Sequence, residues 1–135
     1  MITTTSVLTL SLAKALGAYM LAGGLSGFIG GGRWARIMDG FRDNAALTYV
    51  TGILVFALGA SIIMAHNIWT DPLAIVVSLT GWIAIVEGLL FIACPGPLMK
   101  LADSMMRPGV MTGFAAFAII AGLLLLTLGL VGTAG

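Results

Sequence analysis

The sequence predicts an all-α membrane protein, a bundle of four transmembrane helices, and three observations carry that prediction. Apolar residues make up 60% of the 135, with a mean hydropathy of +1.15, far above the roughly 45–50% apolar content of soluble domains. Of eleven charged side chains, eight crowd into two stretches, Arg33 to Asp43 and Lys100 to Arg107. The rest of the chain divides into four apolar runs, each near the ~20 residues that cross a ~30 Å hydrocarbon layer as a helix. Barrel strands would be ~10 residues long with alternating polarity. A single membrane domain over 1–135 leaves no room for a soluble one.

The first run, Val7 to Gly31, is read as a membrane helix and not as a cleaved leader, because Met1 to Ser6 lacks a basic region and Lys14 interrupts the apolar stretch. Lys14 then lies about 10 Å below the surface, within reach of water by snorkelling. The second run, Ala45 to Ala65, follows Asn44, a good N-cap. The third, Pro72 to Cys94, starts at Asp71-Pro72, a cap followed by proline at the first helical position. Cys94-Pro95-Gly96-Pro97 stops it and predicts a turn. Arg107-Pro108-Gly109 opens the fourth run, which extends to Gly132. Cys94 is the one cysteine, so no disulfide is expected. Loops 33–44 and 95–108 hold Arg33, Arg36, Arg42, Lys100 and Arg107, whereas the turn from His66 to Asp71 holds no Lys or Arg. The positive-inside rule therefore places both loops in the cytoplasm and both termini outside.

An offset of 64 aligns the two charged stretches. Trp34, Ile37, Met38 and Phe41 fall on Leu98, Leu101, Ala102 and Met105, each set spaced i, i+3, i+4, i+7 as an apolar helical stripe. The same offset matches Arg36 with Lys100, Asp39 with Asp103, Thr48 with Thr112, Gly17 with Gly81 and Gly24 with Gly88. This predicts two tandem copies, about 7–66 and 72–132, of a membrane helix, a short amphipathic helix in the interface and a returning membrane helix. Copies that each cross twice are parallel, related by an axis along the membrane normal.

Small residues recur every seven positions in each span: Gly17, Gly24 and Gly31; Ala45, Gly52 and Gly59; Ala74, Gly81 and Gly88; Ala115, Gly122 and Gly129. That spacing keeps them on one face, where backbones approach closely. Gly23, Gly27 and Gly31 add a GxxxG series. Packing within one bundle is the expected use, and joining of neighbouring copies is the other.

Asp71 is explained as a cap and Lys14 by snorkelling, which leaves Glu87, about 20 Å into the third span. An acid near a helix centre costs about 2.5–3.5 kcal/mol on insertion, so it should be neutral, paired or facing water. Glu87 is thus the candidate proton or ion site, with Ser26, Tyr49, Thr112 or a loop arginine as possible partners for a structural role. His66, Asn67 and Trp69 form a polar cluster at the outer face, with polar capping and interfacial anchoring as the expected roles. One histidine cannot furnish the three or four ligands a metal site needs.

Asn44-Ala45-Ala46-Leu47-Thr48-Tyr49, Gly52, Gly59, then His66-Asn67-Ile68-Trp69, Thr80-Gly81-Trp82 and Glu87-Gly88 resemble a pattern of small bacterial four-span membrane proteins, over about the middle third of the chain. The resemblance implies a bacterial inner membrane and no particular activity. A basic residue often stands there in place of Glu87. The chain does not resemble the small multidrug exporters, whose essential acid lies in the first span.

No Ser/His/Asp set, metal cluster or phosphate loop is visible, so neither catalysis nor a cofactor is expected. A net charge of +1 argues against nucleic-acid binding. The expected function is a non-catalytic membrane assembly or accessory protein. Its partners would be membrane lipids and either further copies of the chain or a larger membrane complex, with the amphipathic helices touching head groups or a partner. The alternative is a small oligomeric channel or proton-coupled transporter using Glu87.

Overall fold

The computed structural model describes residues 3–4, 6–29 and 31–134. Among these the chain is helical apart from one short strand pair, with six helices: α1 (Val7–Ile29), α2 (Gly31–Asp43), α3 (Ala45–Ala65), α4 (Pro72–Ala93), α5 (Pro95–Met105) and α6 (Pro108–Val131). The four long ones, α1, α3, α4 and α6, are apolar enough to cross a membrane. Large apolar side chains point outward on all four, among them Tyr19, Leu54, Ile83 and Phe117. In water such a surface would aggregate; in hydrocarbon it needs no cover. The protein is a membrane protein with four candidate spans.

Helix ends follow the local chemistry. The Asn44 side chain accepts from the Leu47 N–H at 3.0 Å and that of Asp71 from the Ala74 N–H at 3.1 Å, which caps α3 and α4. The break after α4 is shorter than the sequence predicts. Only Cys94 leaves helical geometry, with φ −153° and ψ 87°, and α5 begins at Pro95. Proline is tolerated in a first turn, where its missing N–H has no partner to lose. Gly31 and Gly32 likewise belong to the first turn of α2.

The long helices pack as two pairs, α1 along α6 and α3 along α4. Glycines are the reason. A Cβ at Gly17 would lie 2.7 Å from the Gly122 carbonyl oxygen, and one at Gly122 would lie 2.7 Å from that of Gly17. In the other pair a Cβ at Gly59 would lie 2.8 Å from the Gly81 oxygen, and one at Gly52 would lie 2.9 Å from that of Gly88. Backbones that close leave space for hydrogen only, and dispersion between the helices replaces the missing hydrophobic drive. Gly24 meets Ala115 and Gly129 meets Leu10 and the stem of Lys14. Lys14 therefore lays its methylenes across α6.

The two pairs meet at one end of the molecule. Ala13 of α1, Leu73 and Val77 of α4 and Leu125 of α6 are buried together there, flanked by Leu10, Leu16 and Ile62. β1 (Thr3–Thr4) and β2 (Thr133–Ala134) pair in parallel at the same end, Thr3 opposite Thr133. Both described ends of the chain and the α3–α4 turn thus share one side, the termini end. The connecting helices α2 and α5 occupy the other.

Candidate functional site

At the short-helix end, α2 and α5 fold against the lower half of α4 and enclose with it a groove of ≈ 650 Å³. The sequence of α2 dictates how it docks. Met38 is buried, Trp34, Ile37 and Phe41 are half-buried, and Arg33, Arg36, Asp39, Arg42 and Asp43 are exposed, the division expected of an amphipathic helix. The Phe41 ring packs against Phe91 of α4, centroids 5.7 Å apart and planes tilted by 47°. The Trp34 indole N–H donates to Ser26 Oγ at 2.8 Å, and Ser26 donates to the Gly23 carbonyl at 2.7 Å. Arg42 bridges Asp39 on its own helix and Asp103 on α5, which ties the two short helices together.

In α5, Leu98, Ala102 and Met105 are half-buried and line the groove, joined by Met99 and Met106, while Leu101 is more than half exposed at its edge. The stripe of α5 is therefore rotated from that of α2. Apolar residues at 98, 99, 101, 102, 105 and 106 surround more than one face of so short a helix, and the sequence alone does not choose between them.

Glu87 lies in the groove wall, between Val86 and the buried Gly88. It is exposed to the groove and has no hydrogen-bond or ion-pair partner among the described residues. Only two other lining residues, Trp34 and Trp82, carry a side-chain N–H. Both are engaged elsewhere, Trp34 at Ser26 and Trp82 at Asn67 Oδ1, 3.4 Å away. Of the partners expected for Glu87 from the sequence, Ser26 is spent on Trp34 and Gly23, Arg42 on two aspartates, and Tyr49 is exposed. Arg33, Arg36, Lys100 and Arg107 are exposed and have no carboxylate partner among the described residues.

His66, Asn67 and Trp69 occupy the termini end, but they do not act as one cluster. Asn67 Oδ1 accepts from both Trp69, at 2.7 Å, and Trp82, which connects the turn after α3 to the Thr80-Gly81-Trp82 segment. His66 is instead buried, 1% exposed. Its Nε2 lies 2.7 Å from Thr9 Oγ1 and its Nδ1 3.0 Å from Ser78 Oγ. Ser78 donates to the Ile68 carbonyl at 2.8 Å and accepts from the Ile68 N–H. With that hydroxyl proton spent, His66 Nδ1–H is the donor to Ser78, and Nε2 accepts from Thr9. This chain of hydrogen bonds joins α1, the end of α3 and α4. Thr9 and Ser78 were not singled out from the sequence; the available signal was two hydroxyls a turn or two inside their spans, at the depth of His66.

The fold and site define a helical membrane protein with four candidate spans and a lateral, apolar, acid-bearing groove beneath two short helices. No protein-family model, curated protein or solved structure matches the chain, so the functional reading rests on this geometry.

Proposed function

We propose that the protein is a non-catalytic membrane accessory protein that binds anionic lipid head groups at its short-helix end. One observation carries the reading: Arg33, Arg36, Lys100 and Arg107 are exposed on or beside two amphipathic helices and none is neutralised by a carboxylate among the described residues. Cations so placed attract anionic lipid by about 1 kcal/mol each. In this reading α2 and α5 lie in the cytoplasmic interface of a bacterial inner membrane, with both termini outside. The glycines spaced by seven, such as Gly17, Gly52, Gly88 and Gly122, are occupied within the molecule, so association with further copies or a larger complex uses the large apolar side chains left outward.

The reading includes an internal duplication, supported by the crossed pairing. Gly17 meets Gly122 as Gly81 meets Gly59, and Gly24 meets Ala115 as Gly88 meets Gly52. The first spans correspond at an offset of 64 and the last spans at 63, which implies one residue fewer after α5 than after α2. The Thr48–Thr112 match, made at 64, falls one residue out of that register.

Reconstitution into mixed phosphatidylcholine and phosphatidylglycerol vesicles tests the proposal. Lipid copurifying with the wild type should be enriched in phosphatidylglycerol, and the R33Q/R36Q/K100Q/R107Q variant should lose the enrichment. Equal composition for both would refute it. Glu87 opens into a groove at the side of α4 and not into a space between the four spans, which favours ligand binding over conduction.

A further inference from the structure

The groove has a composition that fits one kind of occupant. Its wall holds a carboxylate, Glu87, two indole rings and four methionines, Met38, Met99, Met105 and Met106, and it contains no Lys or Arg. A carboxylate in apolar surroundings is costly unless paired. No donor in the groove is free to pair with it, since both indole N–H groups are committed to Ser26 and Asn67.

We propose that the groove binds a membrane-dissolved amphiphilic amine, a single-chain ligand with one ammonium head, its nitrogen at Glu87 between Trp34 and Trp82 and its chain along the methionine wall. An ammonium is attracted both by a carboxylate and by an indole face. Methionine adapts to flexible chains of varied shape, and ≈ 650 Å³ falls within the roughly 300–1,000 Å³ usual for small-molecule sites. An aminophospholipid fits less well, because its phosphate would enter beside Glu87 where no cationic side chain lines the wall. A second copy of the chain fits less well too. Its one in-span cation, Lys14, lies in the first third of α1 near the termini end, far from the depth of Glu87.

The inference is independent of head-group binding by the exposed arginines and lysine, which lie outside the groove. Its test uses the full chain in phosphatidylcholine nanodiscs, with Trp69→Phe so that Trp34 and Trp82 alone fluoresce. Dodecylamine brominated on its tail should quench saturably, and equally brominated dodecanol should bind at least about tenfold more weakly. Glu87→Gln should weaken the amine by about tenfold or more and leave the alcohol unchanged. Ala102→Phe, which fills the groove and keeps the acid, should weaken both. Undiminished amine binding by Glu87→Gln overturns the proposal. So does alcohol affinity equal to that of the amine, or a wild-type affinity retained by Ala102→Phe.

Discussion

Gly17→Ala and Gly23→Ala are the same chemical change in the same helix, six residues apart, and the structure assigns them opposite consequences. A Cβ at Gly17 would stand 2.5 Å from Leu126 N, whereas one at Gly23 meets nothing within 4 Å. Ordinary contact begins at 3.4 Å, so α1 and α6 must separate locally by about 0.9 Å, the difference of the two distances. A radial gap of ~0.5–1 Å forfeits a quarter to a half of each dispersion contact, and overpacking of this kind costs about 1–3 kcal/mol. At Gly23 only backbone effects remain, which favour alanine by up to ~1 kcal/mol in a helix interior. The two variants should differ by about 2 kcal/mol or more, roughly a 30-fold difference in the ratio of folded to unfolded protein. Reversible unfolding in mixed micelles of rising dodecyl sulfate content, followed by far-UV circular dichroism, measures the difference. Coincident transitions for the two variants would show that the α1–α6 contact is not made through Gly17.

Ser78→Ala removes the acceptor of His66 Nδ1–H and of the Ile68 N–H together, and should cost about 1–3 kcal/mol in the same assay, against less than about 1 kcal/mol for Asn67→Ala at its exposed position. Cys94 is exposed at the short-helix end, so a membrane-impermeant maleimide should label it in opened inner-membrane vesicles and not in intact spheroplasts. A Thr70→Cys, Cys94→Ala protein should already be labelled in intact spheroplasts, and labelling of Cys94 in spheroplasts would invert the proposed orientation.

The sequence made the spans legible because burial in hydrocarbon needs only length and low charge. Asn44 and Asp71 were legible as caps because a cap is a local bond between neighbouring residues. Helix pairing was not. All four spans carry small residues at the same interval of seven, so Gly17 is as compatible with Gly52 as with Gly122, and only three-dimensional complementarity chooses. The role of His66 was hidden for the same reason, since Thr9 and Ser78 come from helices far apart in the chain. Glu87 was recognisable as an anomaly by its charge. Its surroundings depend on how α2 and α5 lie against α4, and the sequence of α5 leaves that rotation open, as the exposed Leu101 illustrates.

The crossed pairing bears on how the chain is made. During synthesis α3 and α4 emerge one after the other and can close as a hairpin at once, because their contacts span few residues. The glycine face of α1 must wait for α6, which leaves the ribosome after α1 to α5. Until then α1 sits in the bilayer with Gly17 and Gly24 uncovered, held nearby at the termini end by the packing of Ala13 near Val77 and by the Thr9–His66 hydrogen bond. A nascent chain stalled before α6 would therefore carry one finished hairpin and one orphan helix, a ready target for membrane quality-control proteases.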